Sequence, residues 1–183
     1  MKDKRVKRKV RKRKAGGKGK RKGSAFERKV CTKLSRWIDP NDTEIYFWRS
    51  AMSGGRATVQ SKRGINNKNQ VGDITCIHPK GEWLTKLCVI ECKFYKDLDI
   101  KAGLLTGRGK FAKFWKTVRK LAKKHEMQPL LIANENFTKP LLVMTEEGYT
   151  SINTFRPLGN VAPLLRSRIL KARIFDFEEV MKA

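Results

Sequence analysis

Asp73, Glu91 and Lys93 are the residues of this sequence whose types and spacing could do chemistry together. Asp73 lies near the start of Val71-Gly72-Asp73-Ile74-Thr75-Cys76-Ile77, a run rich in β-branched residues that reads as a strand. Glu91 and Lys93 interrupt a second run, Leu84 to Phe94, whose apolar centre is Leu87-Cys88-Val89-Ile90. Alternation with a period of two puts Cys88, Ile90, Cys92 and Phe94 on one face of that strand and Val89, Glu91 and Lys93 on the other. Burying a charge is expensive unless it is paired or bound to an ion, so two opposite charges in such a strand need a reason. Two carboxylates from adjacent strands make a hard oxygen site suited to Mg²⁺, with Mn²⁺ as the alternative, and phosphate oxygens and water fill the remaining positions. Such an ion could lower the pKa of bound water and stabilise charge on a phosphodiester, while Lys93 adds a fixed cation beside the attacking water or the scissile phosphate. The bland alternatives are an ion pair at a solvated sheet edge for Glu91 and Lys93, and a turn acid at a strand start for Asp73. The neighbours of Glu91 and Lys93 are too apolar for a free edge.

These three residues need elements to hold them. Gly23-Ser24 opens a segment in which Phe26, Val30, Leu34 and Trp37-Ile38 recur at helical spacing, up to the turn Asp39-Pro40-Asn41-Asp42. Within it, Ser24-Ala25-Phe26-Glu27 fits a capping box in which Glu27 reaches back to the N-cap amide. Glu44 to Arg49 reads as a strand, followed by a Gly-rich loop, Ser50-Ala51-Met52-Ser53-Gly54-Gly55-Arg56, and a polar basic stretch to Gln70. Exposed amides and a Ser hydroxyl between Arg49 and Arg56 could hold a phosphate, or the loop is a flexible turn. Pro79-Lys80-Gly81 turns the chain into the Glu91 strand. From Lys110 to His125 one helical stripe holds Phe111, Phe114, Trp115, Val118, Leu121 and Ala122, opposite a basic face that includes Lys113, Lys116 and Lys120. Pro129 to Ala133 and Leu141 to Met144 read as strands; beyond Tyr149 the signal weakens, with a short helix indicated in Phe175 to Met181. The order α-β-β-β-α-β-β assembles most economically as an α/β domain with a mixed central β-sheet flanked by helices.

The 183 residues carry 43 Lys and Arg against 17 Asp and Glu, a formal net charge of +26, and 39% are hydrophobic. That composition allows one folded domain and excludes a collagen-like, transmembrane or wholly disordered chain. An excess of this size calls for a polyanionic partner, nucleic acid first and an anionic membrane surface second. Half of it, +13, falls in residues 1–22, which hold only Val6 and Val10 as sizeable aliphatics; this reads as a disordered basic arm ahead of a single domain spanning 23–183. The basic start runs into Gly16-Gly17 where a secretory leader would need an apolar stretch, so the expected location is cytoplasmic, in a prokaryotic cell or a phage-infected host. No lipidation signal or Trp-rich amphipathic anchor supports a membrane partner. Cys31, Cys76, Cys88 and Cys92 contain no Cys-x-x-Cys pair, and with only two histidines beside them a zinc site is not expected; they read as reduced, buried thiols. His78 and His125 flank a turn and a helix end, and neither is needed for an acid, acid and lysine site.

Gly72-Asp73 followed by Glu91-Cys92-Lys93 resembles the signature of the PD-(D/E)xK nuclease superfamily, although Gly72 stands where the name has Pro. Together with Glu27 on the first helix and Arg49-Ser50-Ala51-Met52-Ser53-Gly54-Gly55, the order is similar to that of the archaeal-type Holliday junction resolvases, across about residues 23 to 94. The resemblance implies a restriction-endonuclease-like core and a Mg²⁺-dependent endonuclease acting as a homodimer on branched DNA, such as four-way junctions. It implies Asp73 and Glu91 as metal ligands, Glu27 as a third acidic ligand or metal-water contact, and Ser53 or Ser50 as a phosphate or site-loop contact. Arg49, Arg56 and Lys62-Arg63 would draw in the scissile phosphate, and the basic face with Lys113, Lys116 and Lys120 would follow the DNA backbone. Two rivals stay open: a nuclease of the same fold acting on duplex or flapped DNA, and a catalytically inert, basic nucleic-acid-binding protein.

Overall fold

In a computed structural model of the protein, residues 17–50, 71–159 and 161–182 are described. Helix α1 (Gly17–Ile38) leads into β1 (Phe47–Arg49) and β2 (Ile74–Cys76), then a 3-10 turn (Pro79–Gly81), α2 (Glu82–Leu87) and β3 (Cys88–Tyr95). Next come α3 (Ile100–Thr106), α4 (Gly109–Lys124), β4 (Gln128–Glu135), β5 (Leu141–Met144) and α5 (Glu146–Phe155), and the described chain closes with β6 (Leu165–Ser167), β7 (Ala172–Asp176) and α6 (Phe177–Val180). Residues 1–16 of the expected arm lie outside the described residues, as do Ser53, Arg56, Lys62 and Arg63.

The sheet is mixed, as expected. Five strands run in the order β3-β4-β5-β7-β6, with β3 parallel to β4 and every other pairing antiparallel. β1 and β2 form a separate antiparallel ribbon, joined to β3 by a parallel bridge between Gly72 and Ile90. Both faces of the sheet are covered. Phe26, Val30, Leu34 and Trp37 bring the apolar stripe of α1 onto Cys88, Ile90 and Cys92, while Phe111, Trp115, Val118 and Ala122 of α4 cover Val89, Leu131 and Ala133. The alternation read along β3 therefore holds, but both faces are buried, so Glu91 and Lys93 stand at the margin of a packed layer. Among the described residues no helix is long and apolar enough to cross a membrane.

Several boundaries differ from the expected ones. α1 begins at Gly17, so residues 17–22, assigned above to the basic arm, are its first turns; Lys22 is held there by Asn136 and by the Phe94 ring, 3.7 Å from its ammonium. Leu84 to Leu87, expected as the start of the strand, are helical: Pro79 opens the 3-10 turn, Glu82 favours the N-terminus of α2, and β3 starts only at Cys88. Phe175, expected in a helix, is a fully buried strand residue, and the helix begins after Asp176, whose carboxylate accepts the amides of Glu178 and Glu179. All four cysteines are free thiols; Cys31, Cys88 and Cys92 are buried, and burial pushes the Cys31 thiol up to about 12, which keeps it protonated and inert.

Gly72 explains the residue that stands where the superfamily name has Pro. Its φ is +96°, which proline cannot adopt, and a Cβ there would lie 2.6 Å from the Ile90 carbonyl oxygen. Gly72→Ala should therefore destabilise the fold by ~2–3 kcal/mol, from backbone strain plus the clash with β3. Urea unfolding checks this, and an unchanged midpoint would show that the bridge gives way at no cost.

Candidate active site

Asp73 is fixed at both ends of its backbone. Its amide donates to Ile90 O (2.8 Å) on β3, and its carbonyl accepts the Ser50 amide (2.9 Å) just past β1. The side chain then lies along the free edge of β3, where Oδ2 accepts the Cys92 amide at 2.9 Å and the Lys93 ammonium at 2.8 Å. Lys93 Nζ also donates to Glu91 Oε2 at 2.5 Å, across the two-residue step along one face of β3. The structure thus brings Asp73, Glu91 and Lys93 together as one hydrogen-bonded group, each side chain about four-fifths buried or more. Phe114 of α4 supplies an aromatic wall, its ring centroid 5.9 Å from Lys93 Nζ and stacked on Tyr95. Phe114 belongs to the apolar stripe of α4; its place beside the site follows from α4 crossing β3, which periodicity along the chain does not reveal.

The electrostatics are those of an anionic site held short of one charge. Burial and the neighbouring Asp73 charge push the Glu91 carboxyl up to about 7, although Lys93 pulls the other way. Burial works against the Lys93 charge, and the two carboxylates overcome it, holding that ammonium protonated well above its ordinary range. Two hard oxygen donors sharing one monocation fit a divalent ion, which needs few protein carboxylates when substrate phosphate and water complete its shell. Asp73 and Glu91 are the residues that would hold it. Among the described residues no group of three or more His, Cys, Asp or Glu side chains gathers, so a third protein ligand is not already in place.

Glu27 is placed differently. Because α1 starts at Gly17, Ser24 lies inside the helix and cannot be its N-cap, so the capping-box reading of Glu27 fails. Its carboxylate instead pairs with Arg49 Nε at the end of β1. Glu27 is carried by α1, which packs on the Cys88, Ile90 and Cys92 face of β3, whereas Glu91 and Lys93 alternate with those residues and share the face of Val89, which α4 covers. The pair with Glu27 also engages the Arg49 charge that was expected to draw in a phosphate. Ser50 is buried and contributes its backbone amide to Asp73. Lys113, Lys116 and Lys120 are exposed on one face of α4.

One protein family, described as phage putative PDDEXK endonuclease, has a sequence model that matches residues 18–168, a range that includes Glu27, Asp73, Glu91 and Lys93. No curated protein and no solved structure matches the chain.

A carboxyl whose folded-state pKa is raised binds its proton more tightly in the folded than in the unfolded state. Its contribution to stability is therefore greatest below the ordinary carboxylate range and is lost as pH rises through about 7. Glu91→Gln carries no charge to lose, so in EDTA it should melt above wild type at pH 8, by on the order of 1–3 kcal/mol or about 3–10 °C, and close to wild type at pH 5. Thermal unfolding at the two pH values checks this; a variant less stable than wild type at pH 8 would mean that the Lys93 ion pair outweighs the burial cost.

Proposed function

Because the chain belongs to the phage putative PDDEXK endonuclease family, we propose that it is a divalent-metal-dependent endonuclease that hydrolyses DNA phosphodiesters at Asp73, Glu91 and Lys93. One observation carries the reading: two carboxylates from separate chain segments, Asp73 and Glu91, converge on the one ammonium of Lys93, in a chain with 17 acids in all. Asp73 and Glu91 are the metal ligands, with Mg²⁺ the first choice and Mn²⁺ an alternative. The ion supplies Lewis acidity, activating water and neutralising charge on the phosphodiester. Lys93, oriented by bonds to both carboxylates and kept charged by them, presents a fixed positive charge to a phosphate oxygen and stabilises the charge that develops during in-line attack. The Cys92 amide and the Gly72 bridge hold Asp73 still, so the acid is pre-positioned. Glu27 and Arg49 act as a unit beside the same strand. The glutamate fixes the arginine's direction.

The finer reading is cleavage of branched DNA by a homodimer. It is supported by the order of Glu27, Arg49, Gly72-Asp73 and Glu91-x-Lys93 along the chain, and by a basic surface larger than a single phosphate requires. Wild type with Mg²⁺ should place paired, symmetric nicks in a synthetic four-way junction and leave the matched linear duplex intact. Glu91→Gln and EDTA should each lower turnover by at least about 100-fold. Cutting of both substrates would replace the junction reading with a general nuclease, and binding with no cutting of either would leave a DNA-binding protein without catalysis.

A further inference from the structure

Arg108, Lys113, Lys116 and Lys120 line an open pocket of about 410 Å³ along the first half of α4. Arg166, Arg168, Lys171 and Arg173 line a second, of about 230 Å³, on the β6–β7 hairpin. The two meet at the hairpin turn. Trp115 Nε1 of α4 donates to Leu170 O at 2.9 Å, and Ile169 packs so closely on Gly107 that a Cβ there would approach it to 2.7 Å. Arg168 and Lys171, on either side of those two residues, are therefore tied to the same body as the basic face of α4.

The hairpin is built against its own electrostatics. Arg166 lies directly opposite Arg173 in the strand register, and like charges facing each other across an antiparallel pair are destabilising. Glu146 resolves half of this by clamping the Arg173 guanidinium, which also sits 3.9 Å over the Tyr149 ring. Among the described residues, Arg166, Arg168 and Lys171 form no ion pair; Glu146, which lines the same pocket and is bonded to Arg173, also feels the charge of Arg166. An anion from outside removes that cost. Arg108 to Lys120 spans about 18 Å of helix, the rise of about five base-pair steps along a duplex axis.

We propose that Arg166, Arg168 and Lys171 on the β6–β7 hairpin form, with the exposed face of α4, one track for the phosphate backbone of the DNA flanking the scissile position. This rests on the nuclease reading above. Contacts of this kind to phosphates grip a duplex without reading its sequence.

The test is binding of a fluorescent DNA duplex by the full-length protein in EDTA, which reads affinity without turnover, over a series of salt concentrations. The triple variant Arg166→Ala, Arg168→Ala, Lys171→Ala is compared with Lys86→Ala, Lys139→Ala, Lys182→Ala, which removes the same net charge from three exposed lysines that pair with acids. The hairpin variant should bind about 10-fold or more weakly at moderate salt, with the log–log salt slope reduced by about 2 to 3, while the control stays near wild type. Unchanged binding by the hairpin variant, or an equal loss in both, overturns the track and leaves the nuclease reading standing. Tighter wild-type binding to an RNA duplex or to anionic vesicles than to DNA at the same salt also overturns it. If wild type binds none of the DNA, the nuclease reading falls and the track with it.

Discussion

Two ionised carboxylates cannot be buried side by side without a cation, and Lys93 is the cation this chain supplies. Its ammonium lies between Asp73 Oδ2 and Glu91 Oε2, and the neighbouring parts of the fold fix these three groups relative to one another. β3 is the edge strand of the five-stranded sheet, which leaves the Cys92 amide free of a strand partner on that side and able to donate to Asp73. β2 approaches that edge through a single bridge at Gly72, close enough that only glycine fits, and diverges at once. A full strand pairing there would use the Cys92 amide for the sheet. The site exists because the pairing stops after one residue.

That arrangement has a cost in stability. The ion pair with Lys93 does not offset the burial of Glu91 beside Asp73, and the Glu91 carboxyl is pushed up as a result. A structural salt bridge selected for stability alone would stay solvated, as the cluster of Asp39 and Asp42 around the exposed Lys80 does. Here one cation serves two acids in a partly dry pocket. This combination is expected where a further positive charge arrives with a bound ion or substrate.

What could be read from the sequence follows the locality of each signal. The apolar stripes of α1 and α4, the strands β4 and β5, and the alternation along β3 are local patterns, and the structure carries them with shifted ends. Asp73, Glu91 and Lys93 were legible because charged residues inside apolar runs are conspicuous. Tertiary context decided the rest. Leu84 to Leu87 are apolar enough for a strand, yet the turn ahead of them starts a helix, and Ser24-x-x-Glu27 is a cap only if the helix starts there. α5 carried a visible start signal, since Thr145 caps the Gly148 amide with Glu146 and Glu147 in the first turn, but the run behind it is too weakly apolar to stand out. The Arg49–Glu27 pair and the wall formed by Phe114 join segments far apart in sequence, and no local period encodes them.

The distribution of acids explains why so basic a chain folds. Several acids meet cations where elements join: Glu178 meets Lys29 and Lys33 between α1 and α6, Glu146 meets the buried Arg173, and Asp176 meets the exposed Lys139. These pairs tie elements together across long sequence separations. α4 keeps its charge on the solvent side, where water and salt screen it and where its apolar stripe can still bury Phe111 and Trp115. The net positive charge is therefore a surface property that the core does not feel. A polyanion laid along that surface would exchange its counterions for fixed cations without any rearrangement of the fold.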